Sequence, residues 1–144
     1  MRVFYVFNIK KYFAYTYKDK PYKLFKILDY IYNNYEYDIE LGYRYINQII
    51  NNFSKEKINK YLTDNLYNHN NYYKKANIHI ICDNFEYTKL IVENNVIRIK
   101  TNQNKPTILK YLQKQEENIF VCDFSNKQYF WLKKDCQTDK NLIK

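Results

Sequence analysis

The two histidines and three cysteines are the side chains best suited to metal binding or redox chemistry, but their spacing favours neither. His69 lies in a polar Asn-rich stretch, His79 lies in an apolar run, and neither belongs to a spacing typical of a zinc site. No Cys-x-x-Cys pair occurs, and an odd number of cysteines is typical of free thiols in a reducing compartment. We therefore expect packed or solvent-facing histidines, and neither a metal ion nor a cofactor.

Asp123 interrupts an apolar run that extends from Phe120 to Phe124. A carboxylate buried there without partners would have a raised pKa, which is a common property of catalytic carboxylates. At a strand end before a turn it would instead accept hydrogen bonds from the turn backbone, and we expect this role. The two serines fall at a predicted helix cap and in a predicted turn, and a single glycine excludes glycine-rich phosphate loops. The sequence therefore predicts a protein that is not an enzyme.

An aromatic segment near the N-terminus is the strongest candidate for contact with another macromolecule. Residues 3–7 favour a strand, and residues 10–17 favour a short helix with four aromatic side chains. Phe13 and Tyr17 are four residues apart and therefore share a face of that helix. The four rings cover most of the helix circumference, so at least one must be exposed. The pair either packs beneath the next helix or forms a protein-docking patch of the kind found at interface centres.

Hydrophobic periodicity locates the elements that must position these residues. A strand over residues 2–8 precedes the short helix, and a second helix follows Asp19 with Pro21 in its first turn. Asp38 caps a third helix, whose outward face carries Tyr45 and Gln48. The inward stripe of the second helix is Leu24, Phe25, Leu28 and Ile31, and that of the third is Ile39, Tyr43, Ile46, Ile50 and Phe53.

The second half of the chain changes from helical to strand periodicity. Ser54 caps a fourth helix with Ile58, Leu62 and Leu66 inward, and a polar loop follows over residues 67–73. Strands are predicted over residues 78–82, 87–92 and 96–100, the last two joined across Asn94-Asn95, which tolerate positive φ. Asn104 caps a last helix with Leu109 and Leu112 inward, and residues 119–124 and 129–132 form a final hairpin.

The element order predicts an α+β fold, β-α-α-α-α-β-β-β-α-β-β. We expect about five helices and a mixed sheet of about five to six strands. The first strand is apolar on both faces, so it should be central, covered on both sides and adjacent to the final hairpin. Residues 1–134 should form a single domain, and residues 135–144 a polar, frayed tail.

Composition limits the function classes. Hydrophobic residues make up 46% of the chain, which is enough for a core. The 24 Lys and Arg against 15 Asp and Glu give a net charge of +9, which can attract nucleic acid, but no run of five basic residues occurs. The N-terminus lacks a signal-peptide pattern, and no apolar stretch approaches a membrane span. We expect a cytoplasmic protein without membrane contact.

Two motifs carry a resemblance to a known family. Phe4-Tyr5-Val6, continued by Ile9-Lys10, Phe13 and Tyr17, resembles the N-terminal motif of the SirA family, sporulation inhibitors of replication from Firmicutes. Residues 120–132 are similar to that family's ending, in which Asp-Phe precedes a polar turn and an aromatic-x-Trp-Leu sequence. The middle of the chain is similar in length and element order, although its residues diverge.

The resemblance implies a protein-binding inhibitor rather than an enzyme. Proteins of this family bind the N-terminal domain of the replication initiator DnaA and stop new rounds of replication during entry into sporulation. By this resemblance, Phe13 and Tyr17 are initiator-contacting residues, and Tyr45 and Gln48 of the third helix contribute to the contact. We expect such a protein to be a monomer when free, and to need neither a cofactor nor direct contact with nucleic acid. The alternative is a basic nucleic-acid-binding protein that uses scattered lysines and exposed tyrosines, with an affinity that falls steeply with salt.

Overall fold

The computed structural model describes residues 1–34 and 38–132, which form one antiparallel sheet with helices on both faces. Its helices are α1 (Lys11–Tyr17), α2 (Pro21–Asn34), α3 (Ile39–Ile49), α4 (Lys55–Leu66) and α5 (Leu109–Leu112). Its strands are β1 (Arg2–Ile9), β2 (Ile50–Asn51), β3 (Tyr72–Lys75), β4 (Ile78–Cys82), β5 (Tyr87–Val92), β6 (Ile97–Thr101), β7 (Ile119–Asp123) and β8 (Gln128–Leu132). The predicted tail over residues 135–144 lies outside the described residues.

Strand β1 lies in the interior of the sheet, as its doubly apolar sequence predicts. The strand order is β3-β4-β5-β6-β1-β7-β8, and the short β2 pairs with the end of β1. Alternate side chains of β1 enter two separate cores: Phe7 and Ile9 lie under α1, α2 and α3, whereas Phe4 and Val6 lie under α4 and α5. We call the face that bears Phe7 and Ile9 the front face, and the opposite face the back face.

The front core is built mainly from α2. All four residues of its predicted inward stripe are buried: Leu24, Phe25, Leu28 and Ile31. Helix α1 contributes Ala14, and α3 contributes Gly42, Ile46 and Ile49. Because these apolar side chains leave water only when the helices lie on the sheet, the packing, rather than local propensity, holds the shorter helices in place.

The back core confirms most of the predicted pattern in the second half of the chain. Ser54 Oγ accepts a hydrogen bond of 3.3 Å from Lys57 N, and the inward residues of α4 and α5 are buried. The predicted cap at Asn104 is wrong. Helix α5 begins at Leu109, and Asn104 Oδ1 accepts instead from Arg2 Nη1 at 3.0 Å. A long-range partner therefore outcompetes the local capping role of this side chain.

The α+β class is confirmed, but the predicted mixed sheet of five to six strands is wrong. The described residues contain eight strands, and all the pairings between them are antiparallel. Strand β2 has only two residues, too few for a periodic signal. Strand β3 has the sequence Tyr-Tyr-Lys-Lys, which looks like part of the polar loop that we expected there. An edge strand tolerates such a sequence, because one of its sides has no neighbouring strand.

The inward face predicted for α3 is also partly wrong. Ile39 is 72% exposed and Tyr43 is 45% exposed, whereas Gly42 and Ile49 are buried. A prediction from the spacing of large apolar residues does not identify glycine as an inward residue. Glycine nevertheless suits such a position, because it allows a helix to approach its neighbour closely. Ile50 and Phe53 are buried as expected, but both lie beyond the end of the helix.

Candidate functional site

Helix α1 is a seven-residue helix that depends on tertiary contacts for its position. Its N-cap residue, Lys10, has no side-chain cap, but Lys10 N donates to Ile49 O at 2.8 Å. Ile49 is the last residue of α3 and is followed by β2, which pairs with the end of β1 through Ile9 and Ile50. The start of α1 and the end of α3 are therefore fixed together on the front face.

Phe13 and Tyr17 form a stacked pair on α1. Their ring centroids are 6.5 Å apart and the planes are inclined by only 7°, so the predicted shared face is confirmed. Both rings are partly buried and pack against the front core. Each ring therefore has an inner contact with the core and a solvent-accessible portion.

Two further tyrosines of α1 are more exposed than this pair. Tyr12 is 73% exposed and Tyr15 is 80% exposed, and the Tyr12 ring meets that of Phe13 edge to face at 5.4 Å. The helical period predicted that some aromatic of α1 must be exposed, but it did not assign that role to these two residues. With Tyr12 and Tyr15, the outer surface of α1 consists largely of aromatic rings.

Helix α3 lies on the same side of the sheet as α1. Asp38 Oδ1 accepts from Leu41 N at 3.0 Å, which confirms the predicted cap. Tyr45 and Gln48 are three residues apart and both are exposed, Tyr45 by 39%. Gln48 immediately precedes Ile49 and so lies near the junction with α1. The structure therefore places the two sequence-predicted pairs on two helices of one layer, and the start of α1 meets the end of α3 at the Lys10–Ile49 hydrogen bond.

A groove of about 420 Å³ opens between α2, α3 and the sheet. Its walls include Tyr5, Tyr32 and Tyr43, and Arg98 Nε at its edge donates to Glu93 Oε1 at 2.7 Å. Burial raises the pKa of Tyr32 well above its ordinary value, so its hydroxyl stays protonated. None of the described lining residues is a histidine, cysteine or serine. The groove is suited to binding a flat or apolar group.

Asp123 has the structural role that the sequence favoured. Its carboxylate accepts from Asn126 N at 3.2 Å and from Asn126 Nδ2 at 2.8 Å, and it forms an ion pair with Arg2 Nε at 3.0 Å. Burial by itself would raise the pKa of Asp123, but the hydrogen bonds from Asn126 and Arg2 outweigh it and lower the pKa below the ordinary value. The carboxylate is therefore ionised and fully engaged, unlike a catalytic acid.

His79 is a packed histidine in the back core. Its Nδ1 lies 2.7 Å from the Tyr72 hydroxyl, and its Nε2 lies 2.7 Å from Asn59 Oδ1. Because an amide oxygen only accepts, Nε2 carries the proton and Nδ1 accepts from Tyr72. His69 is exposed at the surface. Within residues 1–34 and 38–132, no cluster of three or more His, Cys, Asp or Glu residues is placed to hold a metal ion.

Two comparisons and the helix lengths bear on the kind of protein. Among the described helices, none is both long and apolar enough to cross a membrane. A search of curated proteins found no match to the chain. The profile of the family described as sporulation inhibitor of replication protein SirA matches residues 2–134, a range that contains both helices of the candidate surface. The chain therefore belongs to the SirA family.

Proposed function

We propose that this protein inhibits the initiation of chromosome replication by docking on the N-terminal domain of the initiator DnaA during sporulation. The proposal rests on the family match over residues 2–134, because the name of that family describes an inhibitor of replication. The contact surface is formed by Phe13 and Tyr17 of α1 with Tyr45 and Gln48 of α3. The protein acts as a monomer in the cytoplasm of a sporulating member of the Firmicutes, and it needs neither a cofactor nor a covalent step.

The stacked pair suits the centre of such an interface. Phe13 and Tyr17 are already ordered by their mutual stacking and by the front core, so little side-chain entropy is lost on docking. If a partner excludes water from their outer portions, each ring can contribute about 2 kcal/mol or more to binding. Tyr12 extends the apolar area beside Phe13, because its largely exposed ring meets that of Phe13 edge to face.

Tyr45 and Gln48 suit the polar rim of the same interface. Both lie on the outward face of α3, so a partner that covers α1 can reach them without any change in the fold. Inhibition then follows because this protein occupies a surface of the initiator domain. The initiator domain cannot use the covered surface for self-assembly or for recruiting other replication proteins.

The proposal is tested by calorimetric titration of the initiator's N-terminal domain with the full chain and its variants. Phe13→Ala with Tyr17→Ala should reduce affinity at least a hundredfold, since each truncation of a central ring costs about 2 kcal/mol. This pair also packs on the core, so the second variant is Tyr45→Ala with Gln48→Glu, which leaves the buried side of α3 intact. Tyr67→Ala is the matched control, because Tyr67 is 67% exposed at the end of α4, in the layer on the back face.

Loss of binding in both α1 and α3 variants, with wild-type binding by the control, supports the proposed surface. If the folded α1 and α3 variants bind the initiator domain as well as the wild type, the surface is wrong. If the wild type does not bind the initiator domain, the proposed function is wrong.

A further inference from the structure

Within residues 1–34 and 38–132, helices cover only about half of the width of the front face. The front core takes its strand residues from β1, β2, β7 and β8, and it also includes Val96, which immediately precedes β6. Directly opposed residues on paired strands lie on the same side of the sheet. The pairing therefore places one alternating set of residues from each of β3, β4, β5 and β6 on the front face. Arg98 is opposite Tyr5 and Lys100 is opposite Val3. We call this uncovered part of the front face the open half.

Four cations and two tyrosines lie on the open half. In one row, Tyr73, Ile80, Lys89 and Lys100 lie side by side, and in the next row lie Lys75, Ile78, Ile91 and Arg98. Tyr87, opposite Cys82, lies on the same side. Each of these residues is exposed or partly exposed. We call this set the basic sheet face: Tyr73, Lys75, Ile78, Ile80, Tyr87, Lys89, Ile91, Arg98 and Lys100.

The lysine arrangement is unfavourable for the free protein. Lys89 and Lys100 are directly opposed on neighbouring strands, and like charges in that position are destabilising. Arg98 is partly neutralised by Glu93 at 2.7 Å. The residues that define the face thus include four cations and no carboxylate, and Glu93 pairs with one of these cations, Arg98. An anionic partner would relieve the repulsion between the two lysines.

The side chains between the cations determine what kind of anion fits. Tyr73 is 59% exposed, and the isoleucines beside it form a flat apolar surface. The tyrosine-lined groove between α2 and α3 borders the face at Arg98. Single-stranded nucleic acid presents both matching features, because its phosphates are anionic and its bases stack on aromatic rings. An acidic protein segment would match only the charge.

We propose that the basic sheet face binds single-stranded nucleic acid. Lys75, Lys89, Arg98 and Lys100 contact phosphates, and Tyr73 stacks on a base. The sequence left open a nucleic-acid-binding role for scattered lysines and tyrosines, and the strand pairing gathers a subset of them onto one face. This surface is made of strands, not of α1 and α3, so the inference does not depend on the proposed docking on the initiator.

The test uses the full chain alone and a fluorescein-labelled oligothymidylate of about twenty nucleotides, a length that exceeds a single-domain binding site. Fluorescence anisotropy is measured at 50 and 200 mM salt. Four phosphate contacts predict a slope of log affinity against log salt of about −2.8, which is a loss of about fiftyfold between the two conditions.

Matched variants assign the binding to the face. Lys89→Gln with Lys100→Gln should change the slope to about −1.4, because two phosphate contacts are lost. Lys57→Gln with Lys114→Gln removes the same charge from the α4–α5 side and should leave the slope at about −2.8. Tyr73→Ser should weaken binding about tenfold at either salt concentration without changing the slope, whereas Tyr67→Ser should have no effect.

Three results would overturn the proposal. The first is no binding by the wild type at low salt. The second is an equal loss in the two lysine pairs, which would indicate diffuse attraction by net charge. The third is normal binding by Tyr73→Ser together with equally good competition by polyglutamate, which would indicate a face for acidic protein segments. Thermal unfolding of each variant confirms that the fold is intact.

Discussion

Phe13 and Tyr17 illustrate how one side chain can contribute to folding and to binding. A ring that is wholly buried offers no surface to a partner, and a ring that is wholly exposed must be immobilised when the partner arrives. Each of these two rings is anchored on its inner side by the front core and on one face by the other ring. Truncation of either should therefore affect stability as well as affinity, and the α3 variants separate the two effects.

At the same scale, His79 makes stability depend on pH. Burial, with a smaller effect from the charge of Lys74, lowers the pKa of His79 from 6.5 to about 4. The unfolded chain then binds a proton below pH 6.5 that the folded protein does not accept until about pH 4. Ionisation of His79 should therefore leave the free energy of unfolding unchanged above pH 6.5 and decrease it as the pH is lowered towards 4.

Urea unfolding at pH 7.5 and pH 5.0 measures this effect. The contribution of His79 between these two values should be a loss of about 2 kcal/mol. His79→Gln should remove that part of the pH dependence whatever its effect on stability at pH 7.5, and His69→Gln should retain it, because His69 is exposed. An unchanged pH dependence in His79→Gln would show that other groups are responsible.

At the scale of elements, the hairpins differ from the pattern that their sequences predict. The turn at Asn94-Asn95 forms, with Glu93 N donating to Val96 O at 3.0 Å, but neither asparagine has positive φ. In the described residues, positive φ occurs instead at Ala76 and Lys127, both at 53°. Ala76 connects β3 to β4, so the strand pairing of the sheet edge outweighs the preference of alanine against this conformation.

Replacement of Ala76 by glycine should stabilise the protein. The left-handed conformation costs a Cβ-bearing residue about 1–2 kcal/mol, and the greater freedom of glycine in the unfolded chain offsets part of the gain. The expected net increase is about 0.5–1 kcal/mol in the free energy of unfolding, measured by urea denaturation. Ala14→Gly is the control, because Ala14 is a buried residue of α1 and its replacement should destabilise by about 1 kcal/mol. Destabilisation by Ala76→Gly would contradict the assigned turn geometry.

At the scale of the whole molecule, Arg2 joins segments that are far apart in sequence. Its guanidinium donates to Asp123 and Asn104, each at 3.0 Å, and also to Gln128. These contacts link β1 to the segment before α5 and to the β7–β8 hairpin. The side chain of Asp123 is only 1% exposed. If Arg2 were removed, the negative charge of this carboxylate would be stabilised only by its remaining hydrogen-bond partners.

Arg2→Met should lower the free energy of unfolding by about 2 kcal/mol, since it leaves a buried carboxylate without its cation while the Asn126 hydrogen bonds persist. For a chain of this length, the corresponding decrease in melting temperature is about 4–8 °C. Arg44→Met is the matched control, because Arg44 is exposed and its pair with Glu40 is 3.8 Å long; it should cost less than about 0.5 kcal/mol. Equal effects of the two substitutions would mean that the Asp123 ion pair is dispensable.

Some features of the fold and site could be predicted from the sequence, and others depended on tertiary structure. Strong periodicity predicted the buried stripe of α2 and the central position of β1, because burial on one or both faces leaves a direct pattern in residue type. The outward face of α3 followed from the same reasoning, although Gly42 shifted its inward side. Strand β3 and the open half of the front face could not be predicted, because strand order decides which strands the helices cover.

The central position of β1 has a consequence for synthesis of the chain. Its two long partners, β6 and β7, are the sixth and seventh strands of the sequence, so this apolar first strand leaves the ribosome long before either partner exists. At translation rates of about 5–20 residues per second, the wait until residue 101 completes β6, the first of these partners, lasts roughly 5–18 s. Throughout that interval the nascent protein displays an unpaired hydrophobic segment, which is the kind of surface that chaperones bind.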